Sequence, residues 1–287
     1  MQVRKVIPSG FCKGVVNAIK IANDTRNNYP DKNIYVLGMI VHNDFVTKQL
    51  EDIGIITLDD TNKTKDELLD NINDGVVIFT AHGISDSIKK KAQDKGLICV
   101  DATCVDVLKT KDTIIEHLND GYDVIYFGKK NHPEAEAILS ISDSIYLITS
   151  KDDLDKLNIS NDKVFMTNQT TMSYLQLKEL IDYAKLKYPN LLVEEEICNA
   201  TSSRQKAITD LKDCDLLYVV GDKKSNNTNK LAEIAINSGI GKVSLIQNYK
   251  DINNDDLKDV ENVYVTAGAS TPPILIEEVM NYLKEID

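Results

Sequence analysis

The chain has 287 residues, of which 42% are hydrophobic, and a formal net charge of −12. This length and composition are ordinary for a globular protein of two or three small domains. The acidic excess argues against broad electrostatic binding to nucleic acid, because no stripe of lysine and arginine with interleaved aromatic residues offsets it. No stretch is apolar for long enough to span a membrane, and the first residues lack the apolar segment of a signal peptide. We therefore expect a cytoplasmic protein.

One pattern occurs three times along the chain. Each copy begins with an apolar run, at residues 3–7, 97–100 and 191–193, which is followed by a cysteine (Cys12, Cys104 and Cys198) and a helical pattern. A second apolar run ends in glycine at residues 34–38, 124–128 and 217–221, and a third ends in threonine at residues 76–80, 164–167 and 263–266. The cysteines recur at intervals of about ninety residues. Such self-similarity indicates one structural unit repeated three times.

Continuous apolar runs separated by helical patterns predict parallel sheets covered by helices on both faces. We predict an α/β protein of three pseudo-symmetric small domains around a shared centre. The predicted lobes are residues 1–96 with Cys12, residues 97–190 with Cys104 and residues 191–287 with Cys198.

The three matched cysteines indicate a metal centre. The chain has five cysteines, an odd and widely spaced set that fits reduced thiols or metal ligands better than disulfides. A structural zinc would need a fourth ligand, such as His42, His82 or His132, and usually shows paired cysteine spacing. A 4Fe–4S cluster suits three thiolates and leaves its fourth iron open. Three unrelated buried cysteines are the simplest alternative, and we expect Cys99 and Cys214 to be thiols of that kind.

Polar side chains follow the predicted strands, where parallel sheets place ligand sites. They are His42, His82, His132, Gln169, Thr170, Ser225, Asn227 and Ser270. This set of neutral or titratable hydrogen-bond donors at helix starts suits a small phosphorylated ligand. Glu134 would lie in the first turn of a helix beside them and is a candidate proton donor. Its alternative role is to complement the helix dipole.

Seven motifs in chain order resemble the 4-hydroxy-3-methylbut-2-enyl diphosphate reductase family. They are Gly10-Phe-Cys12, Val41-His-Asn43, Ala81-His-Gly83, Asp101-Ala-Thr-Cys104, His132-Pro-Glu134, Gln169-Thr-Thr171 and Thr266-Ala-Gly-Ala-Ser270. The resemblance implies a cloverleaf of three α/β domains around a 4Fe–4S cluster. It also implies reductive removal of the allylic hydroxyl of the substrate, which yields isopentenyl and dimethylallyl diphosphate in the last step of the non-mevalonate pathway.

By this resemblance the three repeated cysteines ligate the cluster, and its open fourth iron binds the substrate hydroxyl. The implied diphosphate ligands are His42, His82, Ser225, Asn226, Asn227 and Ser270. His132 and Thr170 would lie near the hydroxyl, Gln169 is a further candidate for substrate binding, and Glu134 would supply the proton. Two positions depart from the family pattern: Val105 replaces a proline, and Asn226 replaces a serine or alanine.

The expected partners are the allylic diphosphate and an electron donor such as a ferredoxin or flavodoxin, with no nucleic acid or membrane, and we expect a monomer. The lysine pairs at residues 129–130 and 223–224 would steer such an acidic donor, or the diphosphate itself, if both lie at the mouth of the site. Two alternatives stay open from the sequence: a quinolinate-synthase-like enzyme with an open iron, and an iron–sulfur sensor without a substrate pocket.

Overall fold

The computed structural model describes residues 1–286, in which twelve strands alternate with eleven α-helices. The strands are β1 (Gln2–Lys5), β2 (Ile34–Leu37), β3 (Ile55–Leu58), β4 (Val76–Phe79), β5 (Ile98–Asp101), β6 (Asp123–Phe127), β7 (Ile145–Ile148), β8 (Val164–Asn168), β9 (Leu192–Val193), β10 (Leu216–Val220), β11 (Lys242–Ile246) and β12 (Asn262–Ala267). The helices are α1 (Lys13–Asn28), α2 (Asp44–Asp52), α3 (Lys65–Asp70), α4 (Asp86–Asp94), α5 (Val105–Asn119), α6 (Pro133–Leu139), α7 (Lys151–Lys156), α8 (Tyr174–Lys187), α9 (Asn199–Thr209), α10 (Asn226–Asn237) and α11 (Pro273–Glu285). Two short 3₁₀ helices, Tyr249–Asp251 and Asn254–Leu257, separate β11 from β12.

The strands form three four-stranded parallel sheets with the same topology. Their orders are β3-β2-β4-β5, β7-β6-β8-β9 and β11-β10-β12-β1. The fourth strand is β5 in the first sheet and β9 in the second, but in the third sheet it is β1, from the start of the chain. The prediction of an α/β fold with three parallel sheets and flanking helices is confirmed.

Strand pairing is offset from the predicted lobe limits. The apolar run before each repeated cysteine closes the preceding sheet, because β5 pairs with β4, β9 with β8 and β1 with β12. The lobe limits near residues 96 and 190 remain a proposal about the sequence repeat. The first two sheets each include one further strand beyond these limits. A local apolar pattern identifies a strand but does not specify its pairing partner.

One strand in each sheet was missed by the sequence analysis. These strands, β3, β7 and β11, all lie at the outer edge of their sheets and are only partly buried. In β3 and β11 this partial burial admits Thr57 and Ser244, which shorten the apolar run that marks a strand, whereas β7 is an apolar run of only four residues.

The chain divides into two compact units. One contains Met1–Val15, His42–Val46 and residues 198–286, and therefore the third sheet. The other contains Val16–Val41 and Thr47–Ile197, and therefore the first two sheets.

The sheets are buried on both faces. In β6, Ile125 and Phe127 pack into one apolar cluster, while Val124 and Tyr126 pack into another on the opposite face. Side chains alternate between faces along a strand, so a strand covered on both sides becomes a continuous apolar run. Among residues 1–286, no helix has the length and apolarity that crossing a membrane requires.

Candidate functional site

A buried carboxyl group lies where β6 and β8 end. Glu134 stands in the first turn of α6 and is only 1% exposed. The backbone N–H of Thr170, just past β8, donates to Glu134 Oε1 at 2.8 Å, and the Thr170 hydroxyl donates to Oε2 at 2.9 Å. Both carboxyl oxygens are therefore fixed by one residue of the neighbouring loop.

Burial raises the pKa of Glu134 to about 7, although its hydrogen bonds from Thr170 and Tyr126 act to lower it. The negative charge of Asp106 also raises the pKa of Glu134, by a smaller amount. A carboxyl group whose pKa lies near 7 can hold and release a proton at neutral pH, as a general acid must. The geometry therefore gives Glu134 the means to donate a proton.

Tyr126 is a contact of this carboxyl group that the sequence analysis missed. Its hydroxyl donates to Glu134 Oε1 at 3.4 Å. Burial, followed by the interaction with Glu134, raises the pKa of Tyr126 well above its ordinary value, so the phenol stays protonated. Because Tyr126 lies within the apolar run of β6, nothing in the pattern distinguishes it from a core residue.

Two predicted histidines lie close to each other in the same unit. His132 is the N-cap of α6, and its Nδ1 accepts the backbone N–H of Glu134 at 3.2 Å. With Nδ1 acting as the acceptor, the hydrogen of the neutral ring is on Nε2. The ring of His82, in the loop after β4, meets that of His132 edge to face with centroids 5.4 Å apart.

Gln169 is fully buried and fixes the loops after β6 and β8. Its Oε1 accepts the backbone N–H of Lys129 at 2.9 Å, and its Nε2 donates to Thr171 Oγ1 at 2.9 Å. These bonds hold the two loops together next to Thr170.

Cys104 is the N-cap of α5, in the same unit as Glu134. Its backbone N–H donates to the carbonyl of Ala81 at 3.0 Å, which joins the loops that follow β4 and β5. The thiol is partly exposed. Among the three repeated cysteines, Cys104 alone belongs to this unit.

The other two repeated cysteines belong to the unit of the third sheet. Cys12 directly precedes α1, and its backbone N–H donates to the carbonyl of Ala269 at 3.1 Å. Cys198 is the N-cap of α9, and its thiol donates to Thr201 Oγ1 at 3.2 Å. Both thiols are partly exposed.

Asn227 links these two cysteine loops. Its Nδ2 donates to Thr201 Oγ1 at 3.1 Å, and its Oδ1 accepts the backbone N–H of Ala269 at 3.1 Å. Hydrogen bonds therefore connect the sulfur of Cys198, through Thr201 and Asn227, to the backbone of Ala269, whose carbonyl accepts the N–H of Cys12. The sequence analysis did not identify Thr201, because a threonine within a helical pattern is not part of a recognisable motif.

The N-terminus of α10 gathers the remaining predicted residues. Ser225 is its N-cap, and Asn226 and Asn227 form its first turn, all of them buried. Ser270 donates through its hydroxyl to the backbone carbonyl of His42 at 2.9 Å and lies 3.5 Å from the Ser225 hydroxyl. Five predicted ligands of a phosphorylated molecule therefore belong to one unit.

Two further features hold this polar group in place. Gly268 allows the loop after β12 to approach α10 closely, since a Cβ at that position would collide with the side chain of Thr228. The buried carboxylate of Asp222, which the sequence analysis missed, accepts the backbone N–H groups of Asp44 at 3.1 Å and Lys224 at 2.7 Å. It thereby ties the start of α2 to the loop after β10.

The residues described above are buried polar and titratable side chains that follow parallel strands. This arrangement is typical of α/β proteins that bind small ligands beyond the ends of their strands. The family model described as LytB protein matches residues 3–284. The chain therefore belongs to the LytB protein family.

Curated relatives of similar length support this assignment. The chain is 46% identical to the 4-hydroxy-3-methylbut-2-enyl diphosphate reductase of Lysinibacillus sphaericus (strain C3-41), with 100% of this chain and 89% of the relative covered. It is 45% identical to the protein of the same name from Listeria monocytogenes serovar 1/2a, with 100% and 87% covered.

Solved structures share the fold. That of the E-1-hydroxy-2-methyl-but-2-enyl-4-diphosphate reductase from Plasmodium falciparum is similar with a TM-score of 0.90 and 33% identity, covering 98% of this chain and 87% of the other. A second solved structure, of an (E)-4-hydroxy-3-methyl-but-2-enyl diphosphate reductase described as the terminal enzyme of the non-mevalonate pathway, has a TM-score of 0.69 and 28% identity, covering 99% and 100%.

Proposed function

We propose that this chain catalyses the reaction for which its relatives are named, the reduction of 4-hydroxy-3-methylbut-2-enyl diphosphate. The reaction removes the allylic hydroxyl and yields isopentenyl and dimethylallyl diphosphate, the last step of the non-mevalonate pathway. Similarity over the whole chain supports this oxidoreductase activity. The observation that carries the chemistry is the fully buried carboxyl group of Glu134, whose pKa is raised to about 7.

The LytB family is a family of iron–sulfur enzymes. We propose that Cys12, Cys104 and Cys198 hold a 4Fe–4S cluster with one iron not bound by the protein. Each of these thiols directly precedes a helix, where the dipole and the free N–H groups stabilise a thiolate. When bound, such a cluster supplies electrons and a Lewis-acidic iron for the substrate hydroxyl.

The two remaining cysteines lack this placement. Burial raises the pKa of the Cys99 thiol and raises that of Cys214 to about 11, so both stay protonated at neutral pH. Their environment supports the assignment of the ligand role to the other three thiols.

We propose that the polar group at α10 binds the diphosphate. An anion at a helix N-terminus meets backbone N–H groups and the positive end of the helix dipole. The proposed ligands are His42, His82, Ser225, Asn226, Asn227 and Ser270. Hydrogen-bond donors such as these bind a charged diphosphate through charge-assisted hydrogen bonds.

The proton is proposed to come from Glu134, while Thr170 and His132 lie near the substrate hydroxyl. Thr170 fixes both oxygens of the carboxyl group, so the donor keeps one orientation. Gln169, whose side chain holds the loop that carries Thr170, is proposed as a further substrate-binding residue. Burial of Glu134 excludes water, and this keeps its proton available for the leaving hydroxyl.

The remaining parts of the proposal concern partners. The electron donor would be a small acidic redox protein of the ferredoxin or flavodoxin type. The exposed lysines at residues 129–130 and 223–224 would favour such an encounter. We propose a cytoplasmic monomer that acts on a small diphosphate and requires neither nucleic acid nor membrane.

The proposed activity is tested by anaerobic reconstitution with iron and sulfide, followed by oxidation of a reduced viologen on addition of 4-hydroxy-3-methylbut-2-enyl diphosphate. We expect substrate-dependent oxidation and five-carbon diphosphate products. Serine variants of the three repeated cysteines should lose the cluster, whereas Cys99→Ser and Cys214→Ser should retain it. An intact cluster without turnover would favour a sensor or another open-iron enzyme.

A further inference from the structure

Arg204, in α9, is a buried cation that contacts the loop before Cys12 and the first turn of its own helix after Cys198. It is only 4% exposed. One terminal nitrogen donates to the carbonyl of Gly10 at 2.6 Å, and the other donates to the carbonyl of Ala200 at 2.6 Å. Gly10 is two residues before Cys12, and Ala200 is two residues after Cys198 in the helix that also carries Arg204, so this guanidinium joins the start of α9 to the loop that contains Cys12.

The third nitrogen of the guanidinium has no hydrogen-bond partner. Arg204 Nε is buried and unpaired among residues 1–286. Burial lowers the pKa of Arg204, and the groups whose electrostatic interaction acts to raise it are Cys12 and Cys198. Within the described part of the chain, no carboxylate forms an ion pair with this guanidinium.

A buried cation needs an anion, and a buried N–H group needs an acceptor. The thiolates of Cys12 and Cys198, together with the sulfur atoms of a cluster bound to them, would satisfy both needs. Positive charge and hydrogen bonds near the sulfur atoms of a cluster favour its reduced form, which carries one more negative charge.

We propose that Arg204 is a positioning residue for the iron–sulfur centre: its buried positive charge raises the reduction potential of the centre, and its Nε–H donates to a sulfur atom of that centre. This inference rests on the proposed function, because it requires the cluster. It goes further by assigning an electrostatic role to a residue that binds neither the metal nor the substrate.

The first test uses the wild-type protein, so it does not depend on the folding of a variant. The chain has three arginines, Arg4, Arg26 and Arg204. In protein grown with ¹⁵N-arginine, pulsed electron paramagnetic resonance of the reduced cluster should detect a ¹⁵N coupling. The coupling should be lost in Arg204→Lys and kept in Arg26→Lys. If the wild type shows no such coupling, Arg204 does not donate a hydrogen bond to the cluster, and the proposal is overturned.

The second test measures the midpoint potential and the rate of iron release to a chelator. We expect Arg204→Gln to have a more negative potential and to weaken iron retention about ten- to a hundredfold. Arg204→Lys retains the charge and should stay closer to the wild type. The matched control is Arg26→Gln, because Arg26 also donates to backbone carbonyls, those of Tyr29 and Pro30, and should leave the potential unchanged.

The outcomes separate this inference from the proposed function. Equal potentials in the wild type and in a folded Arg204→Gln variant would overturn the role of Arg204 and leave the reductase proposal intact. A wild-type protein that assembles no iron–sulfur cluster would overturn both.

Discussion

The loop after β8 and the N-terminus of α10 both follow the end of a central parallel strand, yet they present different chemistry. The first surrounds the buried, titratable carboxyl group of Glu134 with donors from Thr170. The second gathers neutral hydroxyl and amide groups around Ser225 and contains no acid among the predicted ligands. The same strand-to-helix geometry therefore supports a proton donor in one unit and an anion-binding set in the other.

This difference shows which part of the site the fold determines and which part the side chains determine. Parallel strands bring polar residues to one edge of a sheet whatever those residues are. Burial then decides the protonation state of an acid, while the helix N-terminus favours an anion.

The largest effect is expected for Glu134→Gln. Glutamine keeps the shape of the side chain but cannot donate an acidic proton, so turnover should fall about 10²- to 10⁴-fold at unchanged cluster content. The control is Glu136→Gln, an exposed residue two positions along α6, which should retain activity. Viologen oxidation measures the rate, and full activity in Glu134→Gln would remove this residue from the mechanism.

The same carboxyl group should make stability depend on pH. The pKa of Glu134 is raised from 4.5 to about 7, so between these values the native state holds a proton that the unfolded chain has released. Its contribution to the free energy of unfolding is fully present below pH 4.5 and is lost as the pH rises through about 7.

That loss amounts to about 3 kcal/mol, since each pKa unit corresponds to roughly 1.4 kcal/mol. Urea unfolding of the cluster-free protein at several pH values would measure it. Glu134→Gln should remove this part of the pH dependence, and Glu136→Gln should keep it. An unchanged dependence in Glu134→Gln would show that the carboxyl group has an ordinary pKa.

In the other region, Ser225→Ala should weaken substrate binding. Removing a hydroxyl that bonds a charged group costs about 1.5 kcal/mol or more, so KM should rise at least about tenfold with little change in kcat. Ser238→Ala is the control, because Ser238 is exposed at the other end of α10. A large fall in kcat with an unchanged KM would place Ser225 in the chemical step instead.

The smallest effect is expected for Thr170→Val, which removes one hydrogen bond to Glu134 and leaves the bond from the Thr170 backbone N–H. Because the hydroxyl bond lowers the pKa of Glu134, its loss should raise that pKa further. The alkaline limb of the pH–rate profile should then move to higher pH. Thr170→Ser retains the hydroxyl and should restore the wild-type profile; the opposite shift would contradict this role for the bond.

The sequence predicted the repeated parallel sheets because their central strands are buried on both faces and read as unbroken apolar runs. It missed β3 and β11, in which polar residues interrupt the apolar run, and also the short strand β7, whose run is apolar throughout. It also could not show that β1 completes the third sheet, since pairing over more than 200 residues leaves no local signal.

The candidate site was predictable where residues stand between a strand and the first turn of the next helix, as Thr170, Ser225 and Glu134 do. Tyr126, Thr201 and Arg204 were not, because they lie inside a strand or a helix and meet the site only through folding. The buried state that raises the pKa of Glu134 is likewise a tertiary property.

The central claim is that Glu134 is a buried carboxyl group that carries a proton at neutral pH. Infrared difference spectra between the wild type and Glu134→Gln would follow the protonated carboxyl band as the pH is raised. The account predicts that the band is lost with a midpoint near pH 7. A midpoint near the ordinary glutamate value of 4.5 would contradict it.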